Sequence, residues 1–258
     1  MSIAVGRASK RFIYRTFLKG LKYLETHHNY YMIRGIDDEG NPENHLSNPM
    51  SNKPESWFKD FDKRWCYSFD VVRYATLELL SREIHDRKIE GAVAEIGVFR
   101  GVFASVINHL FPNKKSYLFD TFEGFDDRDV EADLQMGYSK AECKAFKETQ
   151  IELVKSRMPY RDNAIIKKGW FPESANGCEA EKFCLVSLDT DLYQPIYSGL
   201  HWFYPRLTNG GYIMVHDYNM EEYKGAKQAV RDFAKEVGIS YVPLPDMGGT
   251  VVITKPLA

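Results

Sequence analysis

The sequence predicts an α/β protein of the Rossmann-like kind, with a mostly parallel, doubly wound sheet that ends in an antiparallel hairpin. Three observations predict it. Beyond Glu90, short apolar runs alternate with stretches of helical spacing, at 92–96, 102–110, 116–119, 141–158, 164–166, 183–188, 194–204, 212–215 and 222–237. Strand-helix alternation of this kind builds a parallel sheet from crossover units. The last two runs, 240–243 and 250–253, are joined by residues 244–249 alone. A parallel crossover needs about a dozen residues, so this pair is antiparallel. Finally, Asp189 and Asp191 follow one apolar run and Asp217 closes the next. In open α/β sheets ligands bind outside the carboxyl ends of the strands, so a metal or a catalytic base is expected there.

The 258 residues, 44% hydrophobic and 27% charged, suffice for one large soluble domain with additions. Lys+Arg 34 against Asp+Glu 36 gives a net charge of −2, which excludes a strong global field for nucleic acid. Cys66, Cys143, Cys178 and Cys184 form no CxxC pair, which fits reduced thiols and a cytoplasmic location. No run of about 18 apolar residues exists to span a bilayer. Before the first acid at Glu25, Arg7, Lys10, Arg11, Arg15, Lys19 and Lys22 interleave with Phe12, Phe17, Leu18, Leu21 and Leu24 at helical spacing. Such a basic helix serves subunit packing, peripheral membrane contact or organelle targeting, and a homo-oligomer is expected.

Residues 26–60 are polar and rich in turn formers, so residues 1–60 are expected to be a basic helix and arm, and 61–258 the main domain. Tyr67, Val71, Val72, Ala75, Leu79, Leu80 and Ile84 predict a helix leading into the sheet. The first strand then runs into Ala94-Glu-Ile-Gly-Val-Phe-Arg-Gly101. Gly97 and Gly101 let the backbone turn close to a ligand at a helix N-terminus. Glu95 disfavours a pyrophosphate there but suits a cationic amino acid or sulfonium. Asp120 ends the second strand, about 20 residues on, where an acid accepts both ribose hydroxyls. A helix cap or a solvated turn is the plainer role for either carboxylate. The acidic stretch 126–138 reads as a solvated loop, with a cover over the cofactor as the alternative.

Several segments together resemble the macrocin-type sugar O-methyltransferases, which use S-adenosylmethionine. They are the Glu95–Gly101 turn, Asp120-Thr-Phe-Glu-Gly-Phe125, Lys168-Gly-Trp-Phe-Pro-Glu173, Ser187-Leu-Asp-Thr-Asp-Leu-Tyr193, Tyr204-Pro-Arg-Leu207 and Gly210-Gly-Tyr-Ile-Met-Val-His-Asp-Tyr218. The resemblance implies a class I methyltransferase domain and a glycan or natural-product acceptor that offers a sugar hydroxyl. It implies cofactor contacts at Glu95, Gly97, Gly101, Asp120, Thr121, Phe122, Gly169, Trp170 and Asp189. It also implies a divalent ion, Mg2+, on Asp189 and Asp217, with Asp191 as general base. One position departs from the pattern: where the family typically has Asp-Asp-Tyr, this chain has His216-Asp-Tyr218. His216 is thus open to three roles: metal ligand, second base, or a structural residue turned into the sheet. As a ligand it suits manganese, iron or zinc better than magnesium.

The chemistry requires such groups. A sugar hydroxyl is barely ionised at neutral pH, so its proton must leave as the carbon–oxygen bond forms. Two rival readings are an NAD-dependent Rossmann oxidoreductase and an inactive sugar- or metal-binding homologue. The first lacks its GxGxxG turn here, and only His216 speaks for the second.

Overall fold

The computed structural model describes residues 70–143 and 145–257. The basic helix, the polar arm, Cys66 and the boundary at residue 60 lie outside the described residues. Among the described residues, seven strands form one sheet in the order β3-β2-β1-β4-β5-β7-β6. They are β1 Ala92–Ile96, β2 Ser116–Asp120, β3 Ala164–Lys168, β4 Phe183–Leu188, β5 Leu207–Val215, β6 Val242–Pro243 and β7 Val251–Thr254. The first five pair in parallel, while β7 runs antiparallel to both β5 and β6, the hairpin expected from the short link.

Among the described residues, six α-helices flank the sheet: α1 Val71–Asp86, α2 Val102–Leu110, α3 Asp127–Met136, α4 Ile151–Arg157, α5 Tyr193–Phe203 and α6 Lys224–Val237. Central strands β1 and β4 are buried along their whole length, as sheets covered on both faces require. On one face Ile96, Phe119, Leu188 and Val215 pack against Leu200 and Phe203 of α5 and Val230 and Phe233 of α6. On the other, Val93, Leu185 and Met214 pack against Leu77 and Ile84 of α1 and Phe103 and Ile107 of α2. Phe203 is fully buried, with its ring against those of Phe119, Phe171 and Phe183. Truncating such a residue to alanine costs about 3–5 kcal/mol. None of the described helices is long and apolar enough to cross a membrane.

Three local expectations change. Residues 126–138 are not a loop, because Asp126 caps α3 by accepting from the Arg128 amide, acids fill the first turn and Gly137 closes the last at φ +69°. Conversely, helix occupies only Ile151–Arg157 of the stretch expected at 141–158. The preceding backbone and side chains are spent on tertiary bonds: Phe125 N to Ala145 O, and the Thr149 hydroxyl to Phe99 O. Finally, the buried face of α1 runs through Arg73, Leu77, Ser81 and Ile84, whereas Leu79 is 53% exposed.

Candidate active site

Glycine 97 marks where β1 leaves the sheet. A Cβ on it would lie 1.8 Å from the carbonyl oxygen of Asp189, so only glycine lets the exits of β1 and β4 run this close. The turns after β1, β2, β4 and β5 each hold a non-glycine residue in the left-handed region, Phe99 (φ 49°), Phe122 (55°), Asp191 (60°) and Asp217 (60°). Backbone held in this region clusters at functional sites, where the surrounding structure enforces it.

Asp120 ties two of these turns together. Its Oδ2 accepts from Phe99 N at 2.8 Å and its Oδ1 from Phe122 N at 2.6 Å. Burial raises its pKa, and these amide donors oppose that rise. Nearby, the Trp170 indole donates to Asp129 Oδ2 at 2.9 Å, and the Arg128 guanidinium lies 3.9 Å over the indole ring. Burial pushes Asp129 up to about 7. Asp133, one turn further along α3, accepts from the Tyr193 amide at the start of α5 at 2.9 Å.

At the ends of β4 and β5 stand the acids. His216 N donates to Leu188 O, continuing the ladder, and the left-handed backbone at Asp217 then breaks the alternation of faces. The Asp217 carboxylate therefore meets the His216 imidazole instead of facing away from it: His216 Nδ1 lies 2.9 Å from Asp217 Oδ2 and 3.1 Å from Asp189 Oδ1. Arg73 Nη2 reaches the other oxygen of Asp189 at 2.8 Å. Burial alone would raise the Asp189 pKa, but Arg73 and His216 outweigh it and hold the group far below the usual carboxylate range. For His216, burial works downward and Asp189 prevails, raising it to about 10. Burial and the neighbouring Asp217 push Asp191 well upward, and burial likewise raises Asp217.

Both groups line one cavity of about 440 Å3, within the range of small-molecule sites. Of the residues singled out in the sequence, Gly97, Asp120, Thr121, Gly169, Trp170, Asp189, Asp191, His216 and Asp217 line it. Glu95, Gly101 and Phe122 do not. Gly101 caps α2 in left-handed conformation, and Phe122 contributes its amide to Asp120. Glu95 is 1% exposed, with both oxygens buried and unpartnered; burial first, then Asp189, raise it well above the usual range. A wall of edge-to-face rings, Phe99–Phe146–Phe125–Tyr223, completes the cavity.

The model of the macrocin-O-methyltransferase (TylF) family matches residues 69–254. The chain belongs to that family. Among its relatives, the 8-demethyl-8-(2,3-dimethoxy-alpha-L-rhamnosyl)-tetracenomycin-C 4'-O-methyltransferase of Streptomyces olivaceus is 26% identical over 175 residues, 64% of this chain and 65% of the relative. The mycinamicin III 3''-O-methyltransferase of Micromonospora griseorubida is 26% identical over 164 residues, 59% of this chain and 63% of the relative. The chain thus spans less than two thirds of these curated relatives. The structure of the O-methyltransferase NovP superposes with a TM-score of 0.60 at 19% identity, covering 72% of this chain and 80% of that one, and shows the shared fold.

Within this TylF-family chain, sequence reasoning passed over Arg73, Asp129 and the aromatic wall. Arg73 was detectable as the residue four before Leu77 on the buried stripe of α1. Asp129 had no comparable signal, because its partner Trp170 lies 41 residues away.

Proposed function

We propose that the protein is an S-adenosylmethionine-dependent O-methyltransferase that methylates a sugar hydroxyl of a glycosylated natural product or glycan precursor, with a divalent ion and a general base. The carrying observation is that Asp120 and the Asp189–Asp191–His216–Asp217 group open onto one cavity at the carboxyl ends of parallel strands.

The donor set fits a divalent ion. Asp189, His216 and Asp217 each offer a ligand atom within 4.8 Å of the others. Burial first, and then a neighbouring carboxylate, raises the proton affinity of Asp191 and of Asp217, an environment that a bound cation would relieve. Bound there, a dication acidifies a hydroxyl and fixes its direction, while a sulfonium cofactor supplies the electrophilic methyl group.

This chain's own residues do the rest. Asp120, held rigid by two backbone amides, accepts the ribose hydroxyls. Gly169 and Trp170 flank the base, the indole fixed by Asp129 and Arg128. Asp191, which follows β4 and lines the cavity, takes the acceptor's proton. The Phe99, Phe125, Phe146 and Tyr223 rings give the acceptor an apolar surface and keep water from the reacting atoms. Alignment of oxygen, carbon and sulfur supplies much of the remaining acceleration.

An NAD-dependent oxidoreductase would need a phosphate-cradling turn, and the β1 exit packs instead against the Asp189 carbonyl. Labelled S-adenosylmethionine incubated with a panel of sugar nucleotides and glycosides tests the proposal. Transfer of label to a sugar hydroxyl supports it. Cofactor binding with no transfer to any sugar, but transfer to a phenol or catechol, would redirect the acceptor class.

A further inference from the structure

The acid group differs from an all-oxygen site at one place, His216, and the surroundings of that ring fix what its two nitrogens do. Nδ1 sits 2.9 Å from Asp217 Oδ2 and 3.1 Å from Asp189 Oδ1. One N–H cannot point along both lines, whereas an ion placed between the three atoms satisfies all of them. Donors at right angles on bonds of about 2.1 Å stand roughly 3 Å apart, the spacing of Nδ1 from each of the two oxygens, and the three groups offer ligand atoms within 4.8 Å of one another. Asp189 is limited to a single ligand atom, because Arg73 holds its Oδ2 at 2.8 Å.

The far edge of the ring is equally constrained. A Cβ on Gly248 would lie 2.6 Å from both Nε2 and Cε1 of His216, so the Asp246–Gly249 turn presses on that edge and tolerates no side chain at 248. His216 also lies in a second group, in which a ring nitrogen and carboxylate oxygens of Asp70 and Asp246 fall within 4.8 Å of one another. Metal-binding histidines characteristically turn their second nitrogen toward a carboxylate, which keeps the proton there and leaves the first nitrogen's lone pair free. Asp70 and Asp246 are themselves fixed, Asp70 by the amides of Arg73 and Met247 and Asp246 by Thr250.

We propose that His216 Nδ1 is a nitrogen ligand and that, with Asp189 Oδ1 and Asp217 Oδ2, it makes a centre that prefers a transition dication of the Mn2+, Fe2+ or Zn2+ class over Mg2+. The inference rests on the reading of this cavity as a dication-assisted transfer site. Magnesium holds its water and favours oxygen donors, whereas imidazole suits the later ions, whose affinity for nitrogen rises along the first row. Asp70 and Asp246 are then positioning residues that act through the imidazole.

The experiment uses the full chain, stripped of metal and dialysed against equal free Mg2+ and Mn2+. Bound metal is measured by elemental analysis, and electron–nuclear double resonance is recorded on the Mn2+ form of protein carrying 15N-histidine. S-Adenosylhomocysteine binding and thermal melting are followed in parallel, so that a misfolded variant is recognised. The expected result is at least tenfold preference for Mn2+ and a 15N coupling. In His216→Asp the coupling disappears and the preference falls severalfold toward Mg2+. Asp246→Asn, at the far edge, should weaken Mn2+ binding without removing the coupling.

Equal uptake of both ions without a 15N coupling, or a coupling that survives in His216→Asp, would overturn the inference and leave the methyltransferase reading intact. No dication uptake, with S-adenosylhomocysteine still bound, would overturn it together with the metal-assisted step. A histidine-coupled Mn2+ centre in a protein that binds no S-adenosylhomocysteine would support the inference and count against the function.

Discussion

Arg73 and Asp189, 116 residues apart in sequence, meet through a 2.8 Å hydrogen bond that ties the first turn of α1 to the carboxyl end of β4. The guanidinium also lies 3.9 Å over the Phe103 ring of α2, and its Nε is buried without a hydrogen-bond partner. It is thus a permanent cation placed beneath the acid group, with Glu95 as a second, unpartnered carboxylate in its field.

Removing that cation leaves Asp189 without its strongest partner. Arg73→Leu should lower unfolding stability by about 3 kcal/mol, the usual cost of breaking a buried pair from one side. Arg73→Lys should recover only part of the loss, because an ammonium neither stacks on Phe103 nor keeps the planar fork. Chemical denaturation measures both. A loss below about 1 kcal/mol for Arg73→Leu would mean that Asp189 does not depend on this contact.

Gly97→Ala should be among the most damaging small substitutions in the chain. The added methyl would collide with the Asp189 backbone, and φ at 97 is +83°, so both β exits must move. We expect a loss above roughly 3 kcal/mol or failure to fold, read by denaturation and by expression in soluble form. A well-folded variant that keeps cofactor affinity would contradict the packing described at this turn.

Asp129 predicts a pH dependence of stability. Its folded pKa of about 7 lies above the unfolded value of about 3.9, so the folded state binds this proton more tightly. The associated stabilisation is present at pH below about 4 and is lost as the pH climbs toward and through 7. Compared with Asp129→Asn, the wild type should therefore lose stability between about pH 4.5 and pH 8. Parallel curves for the two proteins would show that this carboxyl does not titrate in that window.

Asp191→Asn keeps the shape of the proposed base and removes its proton affinity. Methyl transfer should fall by about 10²–10⁴-fold, the typical contribution of a general base, while S-adenosylhomocysteine affinity stays within a few-fold. Full activity in the variant would move the base elsewhere, with His216 as the next residue to test.

Much of this architecture was legible because parallel strands buried on both faces are short apolar runs, and because a brief link leaves an antiparallel hairpin as the only outcome. The acids at 120, 189, 191 and 217 were legible for a related reason: they terminate those runs, and strand ends converge at one edge. What escaped was tertiary. The α3 cap looked like loop because its acids are as frequent in turns as in first helical turns. Residues 141–150 carried helical spacing, but Ala145 O accepts from Phe125 N and the Thr149 hydroxyl donates to Phe99 O instead. Glu95 sits in a turn motif that suggested ligand contact, yet its side chain falls on the Arg73 face of β1, opposite Ser187, and not on the cavity.

The central claim is that the cavity beside Asp120 holds an adenosyl sulfonium cofactor, and titration calorimetry with S-adenosylhomocysteine tests it most directly. The wild type should bind it with micromolar affinity or tighter, on the order of −8 kcal/mol, and show no heat with NAD. Asp120→Ala should weaken binding at least thirtyfold. No binding by the folded wild type, or undiminished affinity in Asp120→Ala, would contradict the account.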